Sequence, residues 1–320
     1  MTMLVGHEDA RATFIDAWRS GRMHHAWLLT GPRGVGKRTF AEAAARMVLA
    51  GTDGFEIPAG DRQTAAFDAG AHPDFRRLTR GPMKTSDRLA RDIVVDQVRP
   101  LMEMLAQHPS LSEWRVVMVD AACEMNRSAA NALLKSLEEP PPKTVFLLVC
   151  HSPGRLLPTV RSRCRTLAFR PLNDDDTRSV LARELEEEGD LDALVSVADG
   201  RPGRALAFAG LDIGALTARL AALETASDTG ARDIALGLSQ ELALKAAQPR
   251  FEAFLELVPS YLAAAAKRAP PGTLEARLGL WEEAVRLARE APAKSLDPAT
   301  SAFRLARLVG RLTDGERDAA

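Results

Sequence analysis

The pattern of apolar and polar positions changes character once along the 320-residue chain. In the first half, short unbroken apolar runs alternate with stretches of helical period. Residues 26–30 (AWLLT), 115–119 (RVVMV) and 144–150 (TVFLLVC) are almost wholly apolar on consecutive positions. Such runs suit strands buried on both faces, as in the interior of a parallel sheet. Residues 75–79 and 166–169 are weaker strand candidates. Helical spacing covers 37–49 and 128–138, the second segment stopped by Pro140-Pro141-Pro142. A further helix carries Val98, Leu101, Met102 and Leu105 on one face, with Asp96 as its N-cap. Strand and helix in alternation predict a parallel five-stranded sheet between helices, with ligands at the carboxyl ends of its strands.

After Pro171 the strand signals stop. Residues 174–188, 191–198 and 202–209 read as three short helices, punctuated by Asp199-Gly200 and Pro202-Gly203. From Leu211 onward the patterns are long and helical, with breaks near Asp228-Thr229-Gly230, Pro270-Pro271-Gly272 and Ala291-Pro292. Residues 51–72 are rich in Gly, Ala and Asp, lack periodicity, and read as an irregular insertion. The chain therefore divides into an α/β domain over 1–170, a small three-helix domain over 171–210 and an all-α domain over 211–320.

Composition narrows the class. Charged residues make up 27% and the net charge is −1, so no overall positive field points to nucleic acid or to a membrane surface. No apolar run approaches the roughly 18 residues of a membrane span. The opening MTMLVGHEDARATF has no basic-then-apolar signal, and the expected location is the cytoplasm. Cys123, Cys150 and Cys164 are far apart, form no C-x-x-C pair and fall in or beside apolar segments. They read as buried free thiols.

Chemistry enters at residues 31–39, GPRGVGKRT. The phosphate-loop pattern is G-x-x-x-x-G-K-[ST], and Gly31, Gly36 and Lys37 fit it, with Gly34 as a further flexible position. Glycines let backbone N–H groups turn toward phosphate oxygens, and the helix behind favours anions. Lys37 is the residue for the terminal phosphates. The hydroxyl position holds Arg38, and a guanidinium has donors only and cannot ligate magnesium. Thr39 stands one residue on, rotated by about 100°. Strand 115–119 ends at Asp120, the place of a Walker B acid, and the next residue is Ala121, whose methyl group cannot activate water. Glu124 is displaced along the chain. Changes at 38 and at 121 both argue against hydrolysis by this chain.

Three segments, RMHHAWLLTGPRGVGK (22–37), ANALLKSLEEPP (130–141) and LLPTVRSRC (156–164), together with HPDF (72–75) and VVDQVR (94–99), resemble clamp-loader proteins of the AAA+ class that serve bacterial DNA polymerase III. The resemblance is sharp over about residues 5–210. It implies a P-loop AAA+ domain, a helical lid and an all-α oligomerisation collar. It implies that Arg163, the arginine of S-R-C, acts in trans on ATP-magnesium held by a neighbouring subunit, with Arg161 and Arg165 as competing candidates. It equates Arg204 in GRPGRA with the lid arginine, while the sensor position on the fourth strand, usually polar in the family, holds Cys150 and His151, a further departure. Arg127, at the start of the 128–138 helix, is the candidate for contact with DNA phosphates. The implied partners are gamma/tau ATPase subunits and a delta subunit in a heteropentamer, the sliding clamp, and primer-template DNA held without regard to sequence. The expected role is a non-hydrolysing stator within the polymerase holoenzyme, its own loop empty; the alternative is an active gamma/tau-like motor. Related subunits often carry a four-cysteine zinc module after the P-loop helix. Residues 51–72 contain no cysteine, His72 alone cannot form such a site, and no metal is expected. His24 and His25, being adjacent, are expected to point to different sides of the chain.

Overall fold

In a computed structural model, residues 4–83, 86–90, 92–185, 191–270 and 272–313 are described. They group into two units. The first comprises the residues up to Val180 with Asp199–Gly203, and the second Leu181–Ala198 with Arg204 onward.

The first unit opens with helix α1 (Glu8–Arg19), strand β1 (Ala26–Thr30) and helix α2 (Lys37–Ala50). Helix α3 (Arg62–Asp68), β2 (Phe75–Leu78), a hairpin of β3 (Pro82–Met83) and β4 (Ser86–Leu89), and α4 (Val95–Leu105) follow. Then come β5 (Arg115–Asp120), α5 (Arg127–Glu138), β6 (Thr144–Cys150), the short α6 (Pro158–Arg161) and β7 (Arg165–Ala168). Five parallel strands form one sheet in the order β2-β5-β6-β1-β7. Strand β6 lies between β5 and β1 and is buried at every residue, which is why its sequence is apolar without alternation. The edge strands β2 and β7 each bury one residue, Leu78 and Leu167, and so gave the weak signals.

Successive residues of β1 feed opposite faces. Trwo-sided packing follows: Trp27 and Leu29 pack with Phe14, Phe40 and Met118, while Ala26 and Leu28 pack with Val98, Leu133 and Phe146. The sheet is thus sealed by helices on both sides, and only its ends remain for chemistry.

Local differences from the sequence reading have local causes. The stretch 51–72 contains α3, whose cap Asp61 accepts the Thr64 N–H at 2.7 Å and which buries Phe67. Helix α4 begins two residues earlier than an Asp96 cap would place it: Val94 is its N-cap, and the Gln97 side chain reaches back to accept the Val94 N–H at 3.1 Å. Helix α5 starts at Arg127, because Asn126 caps it by accepting the Ala129 N–H. The β3–β4 hairpin has no apolar alternation to announce it.

In the second unit, helix Leu191–Ala198 and the part of helix Pro202–Ala207 from Arg204 onward precede five long helices: Ile213–Thr225, Asp228–Leu242, Gln248–Lys267, Leu274–Ala293 and Pro298–Gly310. Leu220, Leu238, Phe254, Leu262, Ala284 and Leu305 share one core. The helix read over 174–188 runs Asp174–Glu184 and crosses from one unit to the other; residues 186–188 lie outside the described residues. Two expected breaks move. Asp228 opens a helix, because Ser227 caps it by accepting the Gly230 N–H, and Pro292 sits in the last turn of the helix ending at Ala293. Among the described residues no helix is long and apolar enough to cross a membrane.

Candidate functional site

The phosphate loop lies where β1 ends and α2 begins. Gly31, Gly34 and Gly36 all adopt positive φ, at 146°, 78° and 106°. A Cβ on Gly31 would stand 2.3 Å from the Phe169 carbonyl oxygen. The Gly34 carbonyl accepts the Gly203 N–H at 2.9 Å, and the Val35 carbonyl is bonded by the His7 ring at 2.8 Å. Helix α2 has no side-chain cap, so its first N–H groups face the loop without a competing acceptor of that kind. Lys37 is 4% exposed, and its ammonium folds back onto the Gly31 carbonyl at 2.7 Å and the Pro32 carbonyl. Burial lowers its pKa to about 8, with Cys150, Cys123 and Asp120 opposing the shift and Arg33 adding to it.

The residue after that lysine reaches the acid strand. Arg38 Nε donates to Glu42 at 3.0 Å and lies 3.7 Å from Asp120 Oδ2. Glu42 also accepts from Arg77 at 2.6 Å. Burial raises the Asp120 pKa, and Arg38 and then Arg77 pull it back. A guanidinium therefore stands beside Asp120, the residue that the sequence places where a Walker B acid would be. Thr39 follows on the same helix, half-buried.

A second ion cluster closes the other flank. Glu124 is 8% exposed and pairs with Arg33, with Arg80 at 2.9 Å and with His151 at 3.7 Å. The Cys123 thiol lies 3.4 Å from His151 Nδ1. A hydrogen bond from Cys150 holds the Cys123 pKa down against burial, and the same bond with burial pushes Cys150 up. Both thiols are free and buried, and Cys164 is free and half-buried. Ala121 is buried and supplies no general base.

Arg163 lies at the other end of the sheet. It precedes β7, whose Arg165 is level with Trp27 near the start of β1. Four residues of strand, about 13 Å, separate that level from Gly31. An open cleft of about 780 Å³ there is lined by His24, His25, Leu137, Glu138, Glu139, Ser162, Arg163, Cys164 and Arg165. Arg163 pairs with Glu138 at 2.7 Å and donates to the Thr159 carbonyl at 2.9 Å. Arg165 is drawn over the Trp27 ring at 5.0 Å, and Arg161 is exposed. The two histidines do not diverge. Their rings stack at 4.4 Å, because strand alternation starts only at Ala26 and His24 turns back to bond the Ala26 backbone.

Arg127 is exposed in the first turn of α5. Arg204 belongs to the second unit, where it is 8% exposed, donates to the Val197 carbonyl at 3.0 Å and the Glu256 carbonyl at 2.8 Å, and lies near the Glu256 carboxylate. Among the described residues no group of three or more His, Cys, Asp or Glu side chains is placed to hold a metal ion.

The structure thus brings Gly31, Gly34, Gly36, Lys37 and Asp120 together and sets Arg163 apart from them. Sequence reasoning missed the cations Arg33, Arg77 and Arg80 and the carboxylate Glu42, and it noted His151 only at a sensor position, not as a partner of Glu124. Their spacing carries no motif; only Glu42, four residues after Arg38 on one helix, was open to inference.

A family model described as DNA polymerase III, delta subunit matches residues 6–173. The DNA polymerase III subunit delta' of Pseudomonas aeruginosa is 39% identical over 181 residues, which is 56% of this chain and 53% of that protein. The delta' subunit of Escherichia coli is 37% identical over 196 residues, 61% of this chain and 57% of its own length. The chain thus spans about half the length of the curated delta' relatives it matches. The gamma/tau subunit of Mycobacterium tuberculosis is 33% identical over 190 residues, 58% of this chain and 31% of its own. In three dimensions, a DNA polymerase III gamma subunit-related protein from Thermotoga maritima superposes with a TM-score of 0.52 at 15% identity, covering 93% of this chain and 99% of its own. That likeness bears on the fold alone.

Proposed function

The chain belongs to the DNA polymerase III delta-subunit family, and from that premise we propose that it is a stator of the delta' kind in the polymerase's clamp loader. It hydrolyses no ATP and gives Arg163 to ATP-magnesium on a neighbouring gamma/tau subunit. With gamma/tau and delta subunits it forms a heteropentamer that places the sliding clamp on primer-template DNA in the cytoplasm. DNA is held through its phosphates, with Arg127 as one contact, so that binding carries no base preference.

The observation that carries this reading is the position of Arg163. Its cleft opens at the amino-terminal ends of β1 and β7, one strand length from the chain's own phosphate loop. An arginine cannot span that distance, so any triphosphate it serves is on another chain. Supplied in trans, such a residue stabilises charge developing on the transferred phosphoryl group and contributes roughly 10³–10⁵ in rate at the site it serves. The Arg38–Asp120 pair supports the other half, because the acid that would help hold magnesium already pairs with a guanidinium.

Reconstitution with Arg163→Ala tests the finger. DNA-stimulated ATP turnover by the whole assembly falls while assembly itself is retained; unchanged turnover removes the role. Magnesium-dependent turnover by the isolated chain that vanishes in Lys37→Ala would overturn the stator reading.

A further inference from the structure

The chain's own loop keeps what holds phosphate and has exchanged what holds magnesium. Three glycines at positive φ leave the cradle open, and at Gly31 any side chain is excluded by the Phe169 carbonyl. The uncapped start of α2 and the Lys37 ammonium complete an anion site. Phosphate fits these groups. Magnesium does not, because it wants oxygen ligands and finds a guanidinium between Glu42 and Asp120. In place of the empty loop that the sequence alone suggests, we propose that this loop binds the phosphate tail of a nucleoside di- or triphosphate without a divalent cation, Arg38 standing where the metal would.

In an intact site the metal bridges terminal phosphate oxygens and neutralises their charge. Arg38 meets both carboxylates through Nε, and its side chain is 59% exposed, so its outer nitrogens can turn to the loop. A guanidinium presents paired donors that match phosphate oxygens. Arg33, 66% exposed within the loop itself, adds a second cation on the opposite flank. Arg38 and Arg77 face Asp120 and offset part of its repulsion toward an anion, against Glu42 and Glu124. Magnesium would have to displace the guanidinium to reach Asp120, so adding it brings no gain. Without a metal to polarise the terminal phosphate and with Ala121 in place of a base, the bound nucleotide stays whole.

The inference rests on the stator reading only for that last point, and calorimetric titration of the full chain with ATP separates the two. In EDTA, saturable binding is expected, and excess magnesium changes the affinity by less than about threefold. Arg38→Thr, at an exposed position, folds normally and binds about tenfold to a hundredfold more weakly in EDTA, the loss of one charge-assisted phosphate contact. Magnesium restores part of that affinity by using the new hydroxyl. Absence of saturable binding in EDTA, or binding by the parent chain that magnesium alone confers, overturns the proposal and leaves the stator reading standing. Phosphate release by the parent chain in magnesium would instead overturn the stator reading, with the EDTA titration still deciding the metal-free site.

Discussion

Arg163 and Glu138 face each other across 2.7 Å, and Glu138 is the last residue of the helix that Arg127 begins. The pair joins the S-R-C turn to the end of α5. Its side chains are 35% and 49% exposed, so the attraction is screened by water and worth about 0.2–1 kcal/mol. It parks the guanidinium without fixing it, and a triphosphate carrying several charges outcompetes one carboxylate.

If Arg163 acts in trans as proposed, Glu138→Ala frees its guanidinium for that role. In the reconstituted assembly, turnover at the served site rises by up to about fivefold, the factor that ~1 kcal/mol supplies. Glu138→Gln gives a smaller rise, since a neutral amide still accepts one hydrogen bond. Steady-state ATPase with both variants checks this. A fall in both would mean that the carboxylate holds Arg163 in its working orientation.

Gly31→Ala probes the loop as a structural element. The new methyl would lie 2.3 Å from the Phe169 oxygen, and Phe169 cannot retreat because its N–H donates to Thr30 at 2.7 Å. Positive φ adds strain. The expected loss is about 2–6 kcal/mol of unfolding free energy. Gly51→Ala, also at positive φ but facing open space, costs only about 1–2 kcal/mol. Urea unfolding of the two variants side by side gives the comparison. Equal midpoints would mean that the Phe169 contact does not constrain the loop.

Much of the first unit was legible because burial on both faces leaves unbroken apolar runs, as in β1, β5 and β6. The hairpin β3–β4 and helix α3 were not, since neither has an apolar period of its own. At the site, Gly31, Lys37, Arg38 and Asp120 were readable from a spaced motif and a strand end. What Arg38 does was not. Its pairing with Asp120 needs β5 brought beside α2, a tertiary fact that no local spacing encodes. The same holds for Glu124, which from its place in the chain looked displaced and in the fold gathers Arg33, Arg80 and His151. The HPDF segment proves architectural: buried His72 accepts the Asp74 N–H at 3.1 Å, and Asp74 organises the loop at 110–112.

Arg204 is expected to act on stability. Its bonds to the Val197 and Glu256 carbonyls lie within the second unit, and truncation leaves two acceptors short of a donor. Arg204→Ala should cost about 1–3 kcal/mol, and Arg204→Lys most of the same, because one ammonium cannot reproduce the planar fork. Thermal unfolding followed by circular dichroism measures this. An unchanged melting curve with altered nucleotide affinity would instead make Arg204 a nucleotide sensor.

Asp74 gives the acid limb of stability. It is 3% exposed, and burial alone would raise its pKa. The Ser112, Ser110 and Leu111 N–H groups outweigh burial and hold it below the usual carboxylate value. A folded pKa depressed below the unfolded one stabilises above the unfolded value, about 3.9, and is lost as pH falls through the folded value. Asp74→Asn turns an amide toward donors at 2.7 and 2.9 Å and should cost about 1.5–3 kcal/mol at pH 7. The gap between parent and variant begins to narrow below about pH 4, where the carboxyl of the unfolded parent takes up a proton, and is lost as pH falls through the lower folded value. Urea midpoints at pH 7 and at pH 3 read the effect directly. A gap that stays constant with pH would show that the carboxylate's charge contributes nothing beyond the shape of its hydrogen bonds.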